Sequence, residues 1–400
     1  MEEWKSYKLG EISTIQTGPF GSQLHQSDYV KKGIPCIMPT NIGRMLDFQV
    51  DGIAFIKESD AIRLSRHIVS EGEIIYSRRG DIEKCAYVSK NEDGWFCGTG
   101  CLKITINRQF AIPKFVAYYL STSEIKSWIV GNAVGTTMLN LNTTVLSDVP
   151  IRLPSLQKQN KIVRALDSLT DKISLNTRIN HNLGEQAQAL YKSWFVDFEP
   201  FKDRKFVDSE LGMIPEGWRV GNIYDICDVY YGAPFNSTLF NTERKGLPLI
   251  RIRDLAKQEA GVFTEERHPK GQFTCKGDIL VGMDGEFSIY IWGGEDSWIN
   301  QRISRFSPKP GISHYFLTET LRPQLKAVES SEVATTVIHI GKNDYDKFLA
   351  IIPPKSVLDS FYRVSEPLYL QYVKNLSGNQ VLSESRDVLL PCLMSGQLTC

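Results

Sequence analysis

Between Ser155 and Trp194 apolar residues return at alternating steps of four and three: Ile162, Leu166, Leu169, Ile173, then Leu183, Ala187, Leu190 and Trp194. The two intervening positions of the stripe are Asn176 and Asn180. A heptad sustained this long, with no proline inside it, predicts one long helix with a packing seam. A second stretch, 199 positions on, reads Phe361, Ser365, Leu368, Tyr372, Asn375, Asn379, Leu382, Arg386, Leu389 and Leu393. Its seam is less apolar, yet both asparagines return at the same places. A seam asparagine costs stability and fixes register, because it needs a polar partner across the interface. The pattern therefore predicts that the two helices pair. If they run antiparallel, Asn176 meets Asn379 and Asn180 meets Asn375. Helices of about 35 residues would each extend ~50 Å at 1.5 Å per residue. The plainer alternative is that each helix packs only on its own globular part, with its asparagines solvated.

The remainder of the chain is also written twice. Gly33-Ile34-Pro35-Cys36-Ile37 recurs as Gly246-Leu247-Pro248-Leu249-Ile250, and Gly72-Glu73-Ile74-Ile75 as Gly277-Asp278-Ile279-Leu280. Thr136-Thr137 recurs as Thr335-Thr336. The offset drifts through the globular parts and settles at 199 from position 136 onward, so a variable portion precedes one of fixed length in each half. Short β-rich runs (33–38, 73–76, 101–106, 247–252, 278–281) followed by helical patches (113–119, 313–321) predict a mixed α/β fold. The expected organisation is a globular domain over 1–154, a helix over 155–199, a second globular domain over 200–354 and a second helix over 355–400. Residues 200–217 read as a linker leading into the second domain.

Composition narrows the function classes. At 400 residues and 42% hydrophobic content the chain can bury several cores, and its apolar runs are too short to cross a bilayer. Residues 1–5 lack the basic start of a signal peptide, so the expectation is a cytoplasmic protein with no membrane partner. Eight scattered cysteines without a paired CxxC motif read as reduced thiols, and no metal site is expected. Basic and acidic residues balance at 46 each, so any hold on a polyanion must come from local patches or from a partner.

No phosphate-cradling GxxxxGK[ST] loop, GxGxxG turn, GxSxG elbow, HExxH helix or adenine-methyltransferase tetrapeptide is present, so no catalytic residues and no cofactor site are assigned to this chain. What remains are loops rich in the side chains that read base edges and hold phosphates. In the first half these are Gln16, Thr17, Gly18, Gly21, Ser22, Thr40, Asn41, Arg78, Arg79, Thr136 and Thr137. In the second they are Tyr231, Asn236, Ser237, Arg251, Arg253, Asp254, Asp284, Thr335 and Thr336. Arginine pairs bidentately with guanine, asparagine or glutamine with adenine, and hydroxyls or loop amides with phosphate. Singly, a Gly-Pro turn is usually only a turn, and an Arg-Asp pair a salt bridge. Recurrence at corresponding places in two diverged copies is what raises them.

The stretch Asp148-Val149-Pro150-Ile151-Arg152-Leu153-Pro154-Ser155-Leu156-Gln157-Lys158-Gln159-Asn160-Lys161-Ile162-Val163 resembles the junction segment of type I restriction–modification specificity (S, or HsdS) subunits. Leu389-Leu390-Pro391-Cys392-Leu393-Met394-Ser395-Gly396-Gln397 resembles that family's C-terminal ending, and the layout of domain, helix, domain, helix resembles its architecture. The second junction, Pro353-Pro354-Lys355-Ser356-Val357-Leu358-Asp359, departs from the pattern by lacking the glutamine-rich segment. The resemblance implies that each globular domain reads one half of a split site on double-stranded DNA, and that the paired helices set the unread gap. It further implies two methylation subunits, which bind S-adenosylmethionine, docked on this chain, and restriction subunits joining in systems that cleave. Two rival readings remain: a methyltransferase or nuclease with unrecognised motifs, which would bind S-adenosylmethionine alone, and a coiled-coil scaffold without DNA selectivity. A specificity subunit serving a methylation-only system, without restriction subunits, is a third alternative closer to what the resemblance implies.

Overall fold

The computed structural model describes residues 4–43, 45–133, 140–331 and 338–398. The chain divides into two compact units. One comprises Met1–Asp171 with Ser383–Cys400, and the other Lys172–Leu382. The division runs through both long helices, Leu156–Tyr191 and Lys355–Ser395.

In the first unit a four-stranded antiparallel sheet has the order Ser13–Thr17, Cys101–Ile106, Ile74–Ser77, Cys85–Tyr87. A second sheet has the order Tyr29–Val30, Ala54–Ile56, Ile34–Ile37, Phe96–Cys97, its last pair parallel. Strand Lys5–Lys8 pairs with Pro150–Leu153. Strand Ile74–Ser77 is buried along its whole length, as a central strand covered on both faces must be. Leu9, Ile12, Phe115, Leu146, Ile162 and Leu166 fill the core behind it, joined by Leu393 and Met394 from the second long helix.

The second unit repeats the plan. Cys227–Tyr231, Ile303–Pro308, Ile279–Gly282 and Ile289–Ile291 form one sheet. Phe240–Asn241, Val262–Thr264, Leu247–Ile250, Ser297–Ile299 and Phe273–Thr274 form the other, whose fifth strand is matched in the first unit by the single antiparallel bridge of Ile68 with Phe96. Arg219–Asn222 pairs with Leu349–Ile352. The stretch that reads as a linker carries a short hairpin, Phe206–Val207 against Ile214–Pro215. Ile214 is buried and Val207 packs beside it, so apolar side chains hold this segment to the core.

Within the second unit the long helices run antiparallel and their asparagines interlock. Asn176 donates from Nδ2 to Asn379 Oδ1 at 2.8 Å, and Asn375 donates to Asn180 Oδ1 at 2.8 Å. Asn180 donates onward to the carbonyl of Tyr372 at 3.1 Å. Asn176, Asn180 and Asn375 are all buried, so each amide answers another that would otherwise be stranded. The seam is not a purely two-helix affair. Ile162 and Leu166 lie in the first unit's core with Leu389 against it; Phe361 lies in the second's, with Leu190 against it. Leu169, Leu183, Leu368, Tyr372 and Leu382 are half-buried, and Ile173 is buried.

The departure at the second helix's start has a structural counterpart. In the first unit the fully buried Gln159 accepts from the backbone N–H of Ile112 at 2.8 Å, at the start of helix Pro113–Leu120. Its amide donates to the carbonyls of Pro154 and Phe110 at 2.9 and 3.3 Å. In the second unit Glu366 takes that role for helix His314–Ser331. It accepts from the His314 backbone N–H at 3.1 Å and holds the His314 ring at 2.7 Å. A carboxylate at a helix start also meets the positive end of the helix dipole. Pro367 follows in the interior of the second long helix, where it removes one backbone donor. The hydroxyl of neighbouring Ser365 donates to Ser313 at 2.8 Å.

Candidate nucleic-acid interface

In each unit four segments meet at one end of the antiparallel sheet, and the same backbone bonds tie them. In the first, Gly18 N–H donates to Cys101 O at 2.9 Å, Arg78 N–H to Gly100 O at 2.8 Å, and Leu141 N–H to Arg78 O at 3.0 Å. Arg79 and Asn140 form an isolated antiparallel bridge beside them. In the second, Gly232 N–H donates to Ile303 O at 3.0 Å, Met283 N–H to Arg302 O at 2.9 Å, and Ile340 N–H to Met283 O at 3.0 Å. Asp284 and His339 form the matching bridge. The bonds define the correspondence: Gly18 with Gly232, Arg78 with Met283, Arg79 with Asp284, Gly100 with Arg302, and Asn140 with His339.

Glycine at 18 and 232 is a packing necessity. A Cβ at Gly18 would sit 2.1 Å from the carbonyl oxygen of Gly98, and one at Gly232 2.0 Å from that of Asn300. No side chain fits there, so the strand end lies directly on the turn before the next strand.

The side chains on this common frame differ. In the first unit Arg78 donates from Nε to Asn140 Oδ1 at 3.2 Å, and its guanidinium lies 5.8 Å from the ring centre of Phe20. Phe20, Gly21, Ser22 and Arg79 are exposed. Gln16 is half-buried, with its amide 3.5 Å from Nδ1 of the buried His67. Burial, then the charges of Arg66 and Lys103, push the His67 imidazole down to about 4 from 6.5. The neutral ring accepts from Arg66 Nε at 3.0 Å through Nε2. Thr17 ends its strand half-buried, and Thr40 is exposed.

In the second unit Asp284, Arg302 and His339 form a chain. The Asp284 carboxylate lies 2.8 Å from His339 Nδ1, and the Met283 carbonyl 2.9 Å. Arg302 Nη1 lies 3.3 Å from Nδ1 and 3.2 Å from Nε2 of the same ring, so the guanidinium rests against the imidazole. Arg302 Nε lies 3.6 Å from Asp284. Asn236, Ser237 and Arg253 are exposed.

Several residues singled out from sequence are placed otherwise. Asn41 is buried, accepting from Met38 N–H at 2.9 Å and donating to Gln49 O at 3.1 Å, so it staples its own loop. Arg251 and the buried Asp254 close on each other at 2.9 Å, and Asp254 also accepts from the Arg251 backbone. Both carboxylate oxygens are thus turned to the loop. Tyr231 packs into the core against Tyr345, ring centres 6.2 Å apart. Asn236 Oδ1 caps the turn that follows it, accepting from Thr238 N–H at 3.1 Å. Thr136, Thr137, Thr335 and Thr336 lie outside the described residues. Sequence reasoning missed Asn140, Arg302 and His339. The signal was available: Asn140 and His339 stand at the fixed offset of 199, and Arg79 and Asp284 at the same 205 as their neighbouring strands.

Among the described residues no cluster of three or more His, Cys, Asp or Glu side chains is arranged to hold a metal ion, and no helix is long and apolar enough to cross a membrane. Five cysteines are buried, and burial raises their thiols above the ordinary value of 9.0.

The fold is thus a duplicated α/β domain with two long helices and a polar loop junction in each unit. The family model for the type I restriction modification DNA specificity domain matches residues 1–185 and 215–357, and the chain belongs to that family of DNA-sequence-recognition subunits. It is 27% identical over 414 residues to the specificity subunit of type I restriction enzyme MjaIX of Methanocaldococcus jannaschii, covering 99% of this chain and 94% of the relative. To the HindI specificity subunit of Haemophilus influenzae it is 22% identical over 470 residues, with full coverage of both. The type I S subunit structure from M. genitalium shares the fold at a TM-score of 0.57 and 14% identity, covering 98% of this chain and 96% of that one.

Proposed function

We propose that this chain reads a split site on double-stranded DNA, one half per unit, and performs no bond-making chemistry itself. Two methylation subunits carrying S-adenosylmethionine dock on it in the cytoplasm, and restriction subunits join them in a cleaving system. The paired helices set the length of the unread spacer. The observation that carries this reading is the repeated junction: an identical backbone frame in both units, with different polar side chains on each. A catalytic site duplicated within a chain keeps its reactive groups alike, whereas two readers of different half-sites diverge at the positions that touch bases. The even balance of charge fits a reader whose partners supply part of the phosphate attraction.

The test is to express the chain with its methylation subunit and map modified adenine across the host DNA. A split motif modified on both strands, and lost when this chain is deleted, supports the reading. Modification that persists without the chain overturns it.

A further inference from the structure

Building on that reading, we propose that Arg302 and Arg78 are the guanine-reading residues of the two half-sites, each aimed by a neighbour from the same junction. Asn140 and Phe20 position Arg78; His339 and Asp284 position Arg302.

The argument starts from what a guanidinium needs in order to discriminate. An arginine on a long flexible side chain binds any phosphate, but base reading requires its planar fork to be held in one orientation against O6 and N7 of guanine. Arg78 is held twice, by its Nε–H···Oδ1 bond to Asn140 at 3.2 Å and by the Phe20 ring beneath its plane. Both contacts leave the terminal nitrogens free to project as a pair. Arg302 is flanked on two sides, Nη1 resting against the His339 ring at 3.2 to 3.3 Å and Nε paired with the Asp284 carboxylate at 3.6 Å. The side chain stays 51% exposed, so the guanidinium remains open to a ligand.

The frame supplies the second argument. At the position of Arg78 the second unit has Met283, and at the position of Arg302 the first has Gly100. Each junction thus presents one guanidinium oriented by a junction side chain, but from opposite sides of the same backbone hydrogen bond. Moving the cation across the frame moves the base it can reach. Two heads built alike would then recognise different half-sites, as a split asymmetric site demands.

The test uses the full chain co-expressed with its methylation subunit, with modified adenine mapped genome-wide. Arg302→Lys keeps the charge and loses the fork. It is expected to relax discrimination at one base pair of one half-site by about 10- to 100-fold, while the other half-site stays intact. Arg78→Lys is expected to do the same in the opposite half. The untouched half serves as the control for folding and assembly. His339→Leu should relax the same base pair as Arg302→Lys. His339→Asn, which restores the acceptor that Asn140 provides in the first unit, should recover it. An unchanged motif in both arginine variants overturns the proposal. So does a uniform loss of methylation across all sites, which marks a phosphate contact. A wild-type chain that directs no split motif would instead overturn the function on which the proposal rests.

Discussion

The first unit ties its helix Pro113–Leu120 to the long helix through a neutral amide, Gln159, which is buried with all three of its bonds made to backbone. The second ties helix His314–Ser331 through a carboxylate and an imidazole, Glu366 with His314, the ring stacked on Tyr369 at 4.2 Å. The same mechanical task is met by an amide in one copy and by a carboxylate in the other. The loop junctions differ in the same spirit, Arg78 with Asn140 against Arg302 with His339 and Asp284. A duplicated frame constrains backbone geometry tightly and side-chain chemistry loosely, because a helix start or a guanidinium can be satisfied by several partner types.

Core truncations should break the comparison most strongly. Phe361 packs its ring 4.8 Å from Phe195 in the second unit. Phe361→Ala should cost about 3–5 kcal/mol there, and Leu166→Ala about 2–5 kcal/mol in the first. Hydrogen exchange read separately over the two units would show whether each loss stays local.

The anchors come next. Gln159→Glu replaces a donor with a carboxylate facing two carbonyls and should destabilise the first unit by about 2–4 kcal/mol. Glu366→Gln keeps an acceptor for the His314 backbone and should cost about 1–2 kcal/mol. Denaturant titration of both variants ranks the amide anchor against the carboxylate one; equal costs would remove the distinction.

A smaller effect belongs to the seam. Asn176→Leu strands the Asn379 amide and should cost about 1–3 kcal/mol. Adding Asn379→Leu should recover part of that loss, and a double-mutant cycle measures the coupling.

The smallest concerns pH. The His67 ring is held down to about 4 in the folded first unit, against 6.5 unfolded. Below 6.5 the unfolded chain takes up a proton that the folded ring refuses. Stability of the first unit should therefore be full above 6.5 and fall progressively as pH drops towards 4. His67→Gln should flatten that slope in thermal melts without touching the second unit.

Much of this architecture was legible in the sequence. The helix pair and its asparagine partners could be read because register is carried by position along a regular repeat, so that a spacing of 199 maps one seam onto the other. Strand Cys101–Ile106 appeared at its full length from its β-rich run. The junctions were less legible. Arg302, His339 and Asp284 come from three separate segments, and each alone is an ordinary surface residue. Asn41 and the Arg251–Asp254 pair misled for the opposite reason: their residue types suit base reading, but short loops use the same groups to satisfy their own backbone.

Leu393 and Met394 complete the core that Ile162 and Leu166 begin. The first unit is therefore discontinuous, and during synthesis it must wait for Ser383–Cys400 after the whole of the second unit has emerged. Its early-made strands stand with uncovered apolar surface over that interval, and the closing contacts span most of the chain, which slows their formation. The unit translated first is thus finished last.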